Sequence, residues 1–497
     1  MEESGSKSLW QTEKAPEFPK FNGSGAARVV IVGGGICGLL CAYELLRGGE
    51  KDIVVLEARK ICGGTTAHTT GKITALHGLF YQKLLDVFGE GAAREYAAAN
   101  RDAIEEYRRI VQREGIGCDL APCSAYTYAL DEEGAKRVEA EAQAARRASL
   151  DARVVHDCEL PFPIRSAVML EDQARFHPLK FCYRLAGLLQ REGVKIYEDS
   201  GAVDLEDGTV CLRDGSVHGR SVVICTHYPY VNFRGLYFAR IIQRRSYVAA
   251  LEGAPKLDGM YLDCADAGDS FRSQEWQGGS LILLGRFDHK SGHETGTAHY
   301  ELLEQEAQRL YPGCRVKFRW SAQDCETADG LPYVGRYRQM RGNVYLATGF
   351  RKWGMTGSMA AAQRLSRMIL SGEEKAPAFS PERSDFSAQA GTIARETADT
   401  AANFLHGYFE VPPRSVSELE NGRGGLAEYG GGRIGAYRDE DGGLHGVNPV
   451  CPHMGCPLKW NAEERTWDCP CHGSRFDLQG RVIEGPACRG LDRRGPE

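Results

Sequence analysis

Short apolar runs alternate with amphipathic stretches through the first three quarters of the chain. The runs at Arg28–Val32, Asp52–Glu57, Ser221–Cys225, Ser280–Leu284 and Asn343–Ala347 read as strands. Apolar residues at helical spacing predict helices over Ile36–Arg47, Ala92–Glu114, Leu179–Glu192, His299–Leu310 and Ser358–Leu370. Such alternation is the signature of an α/β domain. The strongly apolar stretch near the N-terminus, Val29–Leu46, is interrupted by Gly33, Gly34, Gly35 and Gly38, which predicts strand, turn and helix rather than a transmembrane segment. From Ser371 to Pro381 the composition shifts to Ser, Glu, Pro and Ala, a linker pattern. A helical pattern over Ala388–His406 then leads to Pro412–Pro413. Beyond it the chain is Gly-rich, with turn dipeptides such as Asn421–Gly422 and Asp441–Gly442, as expected of a small all-β domain. The expected division is an extension over 1–26, an α/β domain over 27–370, a linker with helix over 371–408 and a β domain over 409–497.

Composition narrows the function. With 497 residues, more than one core is expected, and a formal net charge of -6 offers no general polycation for nucleic acid. Met1–Lys20 is polar and lacks the apolar core of a secretory signal, so a cytoplasmic protein is expected. The 17 cysteines are mostly scattered singly, as reduced thiols are, except for a dense group after residue 450.

The first strand runs directly into Gly33-Gly34-Gly35-Ile36-Cys37-Gly38, a helix follows, and the second strand ends in Glu57. These are the parts of a dinucleotide-binding fingerprint. Gly33 permits the tight turn, Gly35 lets the backbone approach a pyrophosphate, and Gly38 lets helix and strand pack closely. The helix N-terminus attracts the phosphates, while Glu57, with Ala58 and Arg59 after it, stands where ribose hydroxyls bind. The fingerprint does not separate FAD from NAD. Two further segments favour FAD. The hydroxyl-rich loop Cys62–Ile73 brings Thr65, Thr66, Thr69 and Lys72 to where a flavin enzyme wraps the ribityl chain and ring edge. Near the domain's end, Gly349 closes a strand, and Gly354, Met355 and Thr356 open a helix able to stabilise negative charge on a reduced flavin.

With Asp329-Gly330-Leu331-Pro332-Tyr333-Val334-Gly335, these segments make residues 27–370 resemble the D-amino-acid oxidase-like FAD enzymes, which include glycine, sarcosine and γ-glutamylputrescine oxidases. The resemblance implies a Rossmann-like FAD-binding domain with an interleaved antiparallel-sheet substrate domain. No Cys or His clearly matches the family's covalent flavin attachment sites, so non-covalent FAD is expected, and the resemblance further implies oxidation of an amine or amino acid C–N bond by hydride transfer to flavin N5. Such chemistry asks side chains mainly to orient the substrate. The expected catalytic residues are His227, Arg286, Lys352 and Tyr333, with Tyr228, Arg272, His289, Arg351 and Trp353 as further candidates.

The most specific signal is C-terminal. One box reads Cys451-Pro452-His453-Met454-Gly455-Cys456, and the other Cys469-Pro470-Cys471-His472-Gly473-Ser474. One Cys and one His in each of two loops suit a Rieske-type 2Fe–2S cluster, with Cys451 and Cys469 on one iron and His453 and His472 on the other. Structural zinc is the rival for such a donor set. The boxes resemble those of the Rieske proteins of cytochrome bc complexes. That resemblance implies a disulfide between Cys456 and Cys471 and a hydrogen bond from Ser474 to a bridging sulfide. Where those proteins carry a tyrosine donor, this chain has Phe476, so a lower potential is expected.

A flavin domain followed by a Rieske domain, together with Ser8-Leu9-Trp10 and Pro16-Glu17-Phe18-Pro19, resembles a group of bacterial fusion proteins. The expected function is dehydrogenation of a small amine or amino acid, with electrons leaving through the cluster to an external acceptor protein or quinone. The alternative is a relay flavoprotein feeding a partner enzyme, which would require an NAD(P)H site; no second nucleotide fingerprint occurs. A Rieske oxygenase would require a two-His-one-carboxylate iron site, and no Asp-x-x-His-x-x-x-x-His pattern occurs.

Overall fold

The computed structural model describes residues 7–266, 268–293, 296–373, 377–383, 386–409 and 415–495; Pro412 and Pro413 lie outside them. Its first sheet is built from the apolar runs. Strand Gly23–Val32 lies between Gly215–Ile224 and Ile53–Leu56, parallel to both, and Val344–Thr348 and Lys195–Tyr197 extend the sheet in parallel. Val29–Val32 and Ile53–Leu56 are buried throughout, as strands covered on both faces must be. Helices Ile36–Arg47 and Gly354–Ser371 pack against each other over one face.

A second, nine-stranded sheet is mostly antiparallel. It runs from Arg315–Thr327 through Ile241–Glu252, Gly279–Lys290, Ser270–Trp276 and Met260–Asp263 to Ala121–Ala129 and Ser166–Arg175. Along Ile241–Glu252 side chains alternate between faces. Val248 and Ala250 join the core shared with the first sheet, whereas Tyr247, Ala249 and Leu251 pack under helix His299–Leu310 on the other side. The C-terminal region is all-β, with a three-stranded and a four-stranded sheet around Trp467 and Phe476.

Helices Ile36–Arg47 and His299–Leu310 have the predicted bounds. The helix expected over Ala92–Glu114 begins at Tyr81 instead, across a kink at Gly89 where φ is 78°. Its start depends on a distant group: buried Glu141 accepts the backbone N–H of Phe80, Tyr81 and Gln82. Those donors would otherwise be unsatisfied in the first turn. No helix among the described residues is long and apolar enough to cross a membrane.

The N-terminal segment is part of the core. Trp10 is fully buried, its Nε1–H donates to the Thr69 carbonyl at 2.7 Å, and the Ser8 hydroxyl donates to the Ala67 carbonyl at 2.5 Å. The segment therefore fastens the hydroxyl-rich loop from outside.

Candidate functional site

A cleft of about 1160 Å³ runs between the two sheets, from the fingerprint turn to the inner face of the nine-stranded sheet. Gly33, Gly35, Glu57, Ala58, Arg59, Thr65, Thr66, Thr69, Lys72, Gly354 and Met355 all line it. Gly33 has φ of 108°, and a Cβ there would stand 2.4 Å from the Cys225 carbonyl oxygen. Gly38 lies beneath the cleft; a Cβ on it would stand 1.9 Å from the Gly33 oxygen, so its role is close packing. Glu57 accepts the backbone N–H of Gly34 at 2.8 Å and of Arg59 at 2.9 Å, and burial raises its carboxyl. These bonds orient it and leave each oxygen further acceptor capacity.

At the far end, Trp353 stacks on His77 with ring centroids 4.5 Å apart, just where helix Gly354–Ser371 begins. His77 bonds to Tyr96 and Thr74, and burial pushes its imidazole down to about 3, so it is a neutral prop. Thr356 is buried and donates to the Thr74 carbonyl at 3.0 Å, while Gly349 supplies a positive-φ turn; neither lines the cleft.

The predicted catalytic residues separate. His227, Arg286 and Lys352 reach the cleft, but Tyr333 does not, being buried between the Arg240 and Arg383 guanidinium groups on an edge strand. Arg286 is already committed to Asp269 at 2.8 Å and Glu306 at 2.5 Å. Burial lowers the His227 imidazole, whose Nε2 has no hydrogen-bond partner. Arg351 Nη1 is likewise buried without a partner. Because they line the cleft, these two groups leave hydrogen-bonding positions open to a bound molecule or to water.

The inner face adds Ser246, Asp288 and Asp324, which the sequence reading missed. Burial pushes the Asp324 carboxyl up to about 8, opposed by Lys352, and pushes the Lys72 amine down to about 7. Strand alternation could have grouped Ser246 with Val248, but nothing local says which face meets a cleft.

In the C-terminal domain the disulfide between Cys456 and Cys471 ties the two boxes together. The Cys451 and Cys469 thiols are within hydrogen-bonding reach of each other, and the His453 and His472 rings lie 5.1 Å apart. Nδ1 of both histidines is buried and unpartnered. His453 Nε2 donates to Asn232 Oδ1 at 3.1 Å, which leaves the Nδ1 lone pair free for a metal. Two thiols and two inward imidazole nitrogens fit the ligand set of a Rieske cluster. Ser474, fully buried, lies beside Cys451 and accepts the Ala487 N–H at 3.1 Å.

This domain is seated on the outer face of the nine-stranded sheet. Arg245 reaches Glu464 at 2.7 Å and Asp468 at 2.9 Å, Arg475 completes the buried network, and the Ser321 hydroxyl donates to Glu464 at 2.6 Å. Segment 479–491 continues around the edge and walls the cleft, contributing Glu484.

The FAD dependent oxidoreductase (DAO) family model matches residues 28–368, and the Rieske [2Fe-2S] domain model matches residues 410–493. YhfW of Bacillus subtilis (strain 168), which bears the name of a Rieske 2Fe-2S iron-sulfur protein, is 35% identical over 495 residues, spanning 98% of this chain and 97% of its own. The cytochrome b6-f complex iron-sulfur subunit of Synechococcus elongatus is 53% identical over 45 residues, 9% of this chain and 25% of that subunit. Among solved structures, glycine oxidase from Geobacillus kaustophilus aligns with a TM-score of 0.60 at 17% identity, over 72% of this chain and 99% of its own. L-proline dehydrogenase from P. horikoshii aligns with a TM-score of 0.60 at 16% identity, over 72% and 98%.

Proposed function

Because the chain belongs to the FAD-dependent oxidoreductase (DAO) family and carries a Rieske [2Fe-2S] domain, we propose that it dehydrogenates the C–N bond of an amino acid or related amine and delivers the electrons to an acceptor outside the chain. Bound FAD supplies a two-electron acceptor and the 2Fe–2S cluster a one-electron carrier. The chain's own residues bind, orient and desolvate the substrate. The observation that carries this reading is that one cleft is lined both by Arg351, whose Nη1 is buried without a hydrogen-bond partner although its Nε lies 3.8 Å from Glu326, and by the half-buried carboxyl of Asp324. Arg351 would take a substrate carboxylate by a charge-assisted bond. Ionised Asp324 would hold the ammonium and accept its proton, which leaves the neutral amine that hydride loss requires. His227 and Lys352 line the same cleft, Lys352 lying 3.5 Å from Asp288, while Arg286 is occupied and stays structural. Glycine oxidase and L-proline dehydrogenase share the fold, which supports an amino acid or amine as the class. The scattered free cysteines support a reducing, cytoplasmic site of action.

Anaerobic mixing of the loaded protein with a panel of amino acids and alkylamines tests this, with flavin bleaching followed by absorbance and cluster reduction by electron paramagnetic resonance. A compound that bleaches the flavin, with the cluster signal following, is the expected result. Reduction of both centres by NADH and by no amine would overturn it in favour of a relay function.

A further inference from the structure

Gln243 and Gln323 lie on adjacent strands of the nine-stranded sheet, and both are buried, with relative exposures of 3% and 1%. Gln243 Nε2 donates to the His472 carbonyl at 2.6 Å and to the Gly485 carbonyl at 2.8 Å, and its Oε1 accepts Gln323 Nε2 at 2.6 Å. Gln323 Nε2 also donates to the Gly473 carbonyl at 2.7 Å. On the cleft side, the Gln323 carbonyl accepts the Thr65 hydroxyl at 3.2 Å, and Gln243 itself edges the cleft. A continuous bonded path therefore leads from the hydroxyl-rich loop, through one strand's thickness, to the backbone of a cluster ligand. Gly473 makes the approach possible: its φ is 77°, and a Cβ there would stand 2.9 Å from Gln243 Cβ. The two buried amides are bonded at every group but Gln323 Oε1, which has no partner, so most of the cost of burying them is met. The Arg245 network alone could seat the domain, so this pair has a narrower task.

We propose that Gln243 and Gln323 are positioning residues for electron transfer within one chain, holding the His472 loop at the back of the flavin cleft so that each cluster is reduced by its own flavin. The proposal rests on the reading that electrons pass between the two centres. With both groups bound, FAD would supply electrons one at a time to the cluster, and an external one-electron carrier would take each on, so the transfer needs no further oxidant.

The test uses the full chain loaded with both centres. A laser flash with a sacrificial donor reduces the flavin, and cluster reduction is followed by absorbance and freeze-quench electron paramagnetic resonance. The expected wild-type rate is first order and unchanged over a tenfold range of protein concentration. In Gln243→Leu it falls at least tenfold, while iron content and cluster midpoint potential stay at wild-type values, which a merely destabilised cluster would not do. A wild-type rate proportional to protein concentration would overturn the proposal, as would an unchanged rate in Gln243→Leu combined with Gln323→Leu. The flash replaces substrate, so an amine panel that bleaches no flavin would sink the amine reading and leave this result standing.

Discussion

The Nε2–H of His453, a residue of the C-terminal domain, donates to Asn232 Oδ1 of the flavin domain at 3.1 Å. An acceptor on the outer nitrogen makes the imidazole a stronger donor through Nδ1 and so favours the oxidised cluster. Asn232→Leu should raise the cluster's midpoint potential and make the cluster about 10-fold easier to strip with a chelator. Redox titration and timed iron release check both; an unmoved potential would show that the bond only holds the domains together.

Among the described residues, Arg245 is the one cation that the flavin domain places between Glu464 and Asp468, and all three side chains are buried. Burial opposes its charge, but the two carboxylates outweigh that and raise the guanidinium's proton affinity. Arg245→Met strands two carboxylates beside Arg475 alone and should cost about 3–5 kcal/mol. Chemical denaturation of the loaded chain measures the loss. Limited proteolysis of the C-terminal domain should accelerate in parallel as the domain lifts away.

Trp10 should matter for flavin retention although it lies outside the cleft. Trp10→Ala removes a fully buried ring and its bond to the Thr69 carbonyl, for a cost of about 3–5 kcal/mol. Faster flavin release, read by fluorescence recovery after dilution, is the expected outcome.

The high proton affinity of Asp324 has a defined sign. The folded chain keeps this proton up to about pH 8, whereas the unfolded chain releases it near the ordinary carboxylate value. Stability from this group is therefore full in acid and declines as pH rises towards 8. Binding should run the opposite way: ionised Asp324 holds an ammonium, so flavin reduction by amines should increase as pH passes through about 8. Asp324→Asn should flatten both profiles and slow reduction by roughly 10²-fold. Thermal melts and anaerobic stopped-flow across pH 6–9 decide the matter.

Phe476 is fully buried in the small core that also holds Cys451 and Cys469. A hydroxyl added at its ring edge can donate to a ligand sulfur, which withdraws charge from the cluster. Phe476→Tyr should therefore raise the midpoint potential, and titration of wild type and variant side by side gives the answer.

The parts of this protein that depend on neighbours in sequence were legible from the chain alone. Gly33, Gly35, Gly38 and Glu57 form one turn and one strand end, and the Cys-x-His and Cys-x-x-His boxes each close a single loop. In both, spacing dictates geometry. Helix bounds such as Ile36–Arg47 followed from local periodicity, and failed where Glu141 caps Tyr81–Glu114 from 27 residues beyond that helix's end. Tertiary structure decided the rest. Alternation along Ile241–Glu252 shows that Arg245 and Ser246 face opposite ways, yet it cannot say that one side meets a second domain and the other a substrate cleft. Arg245, Gln243, Asp324 and Asn232 look in sequence like ordinary surface polars. Their partners lie up to 229 residues away, and only chain closure in three dimensions brings such groups together.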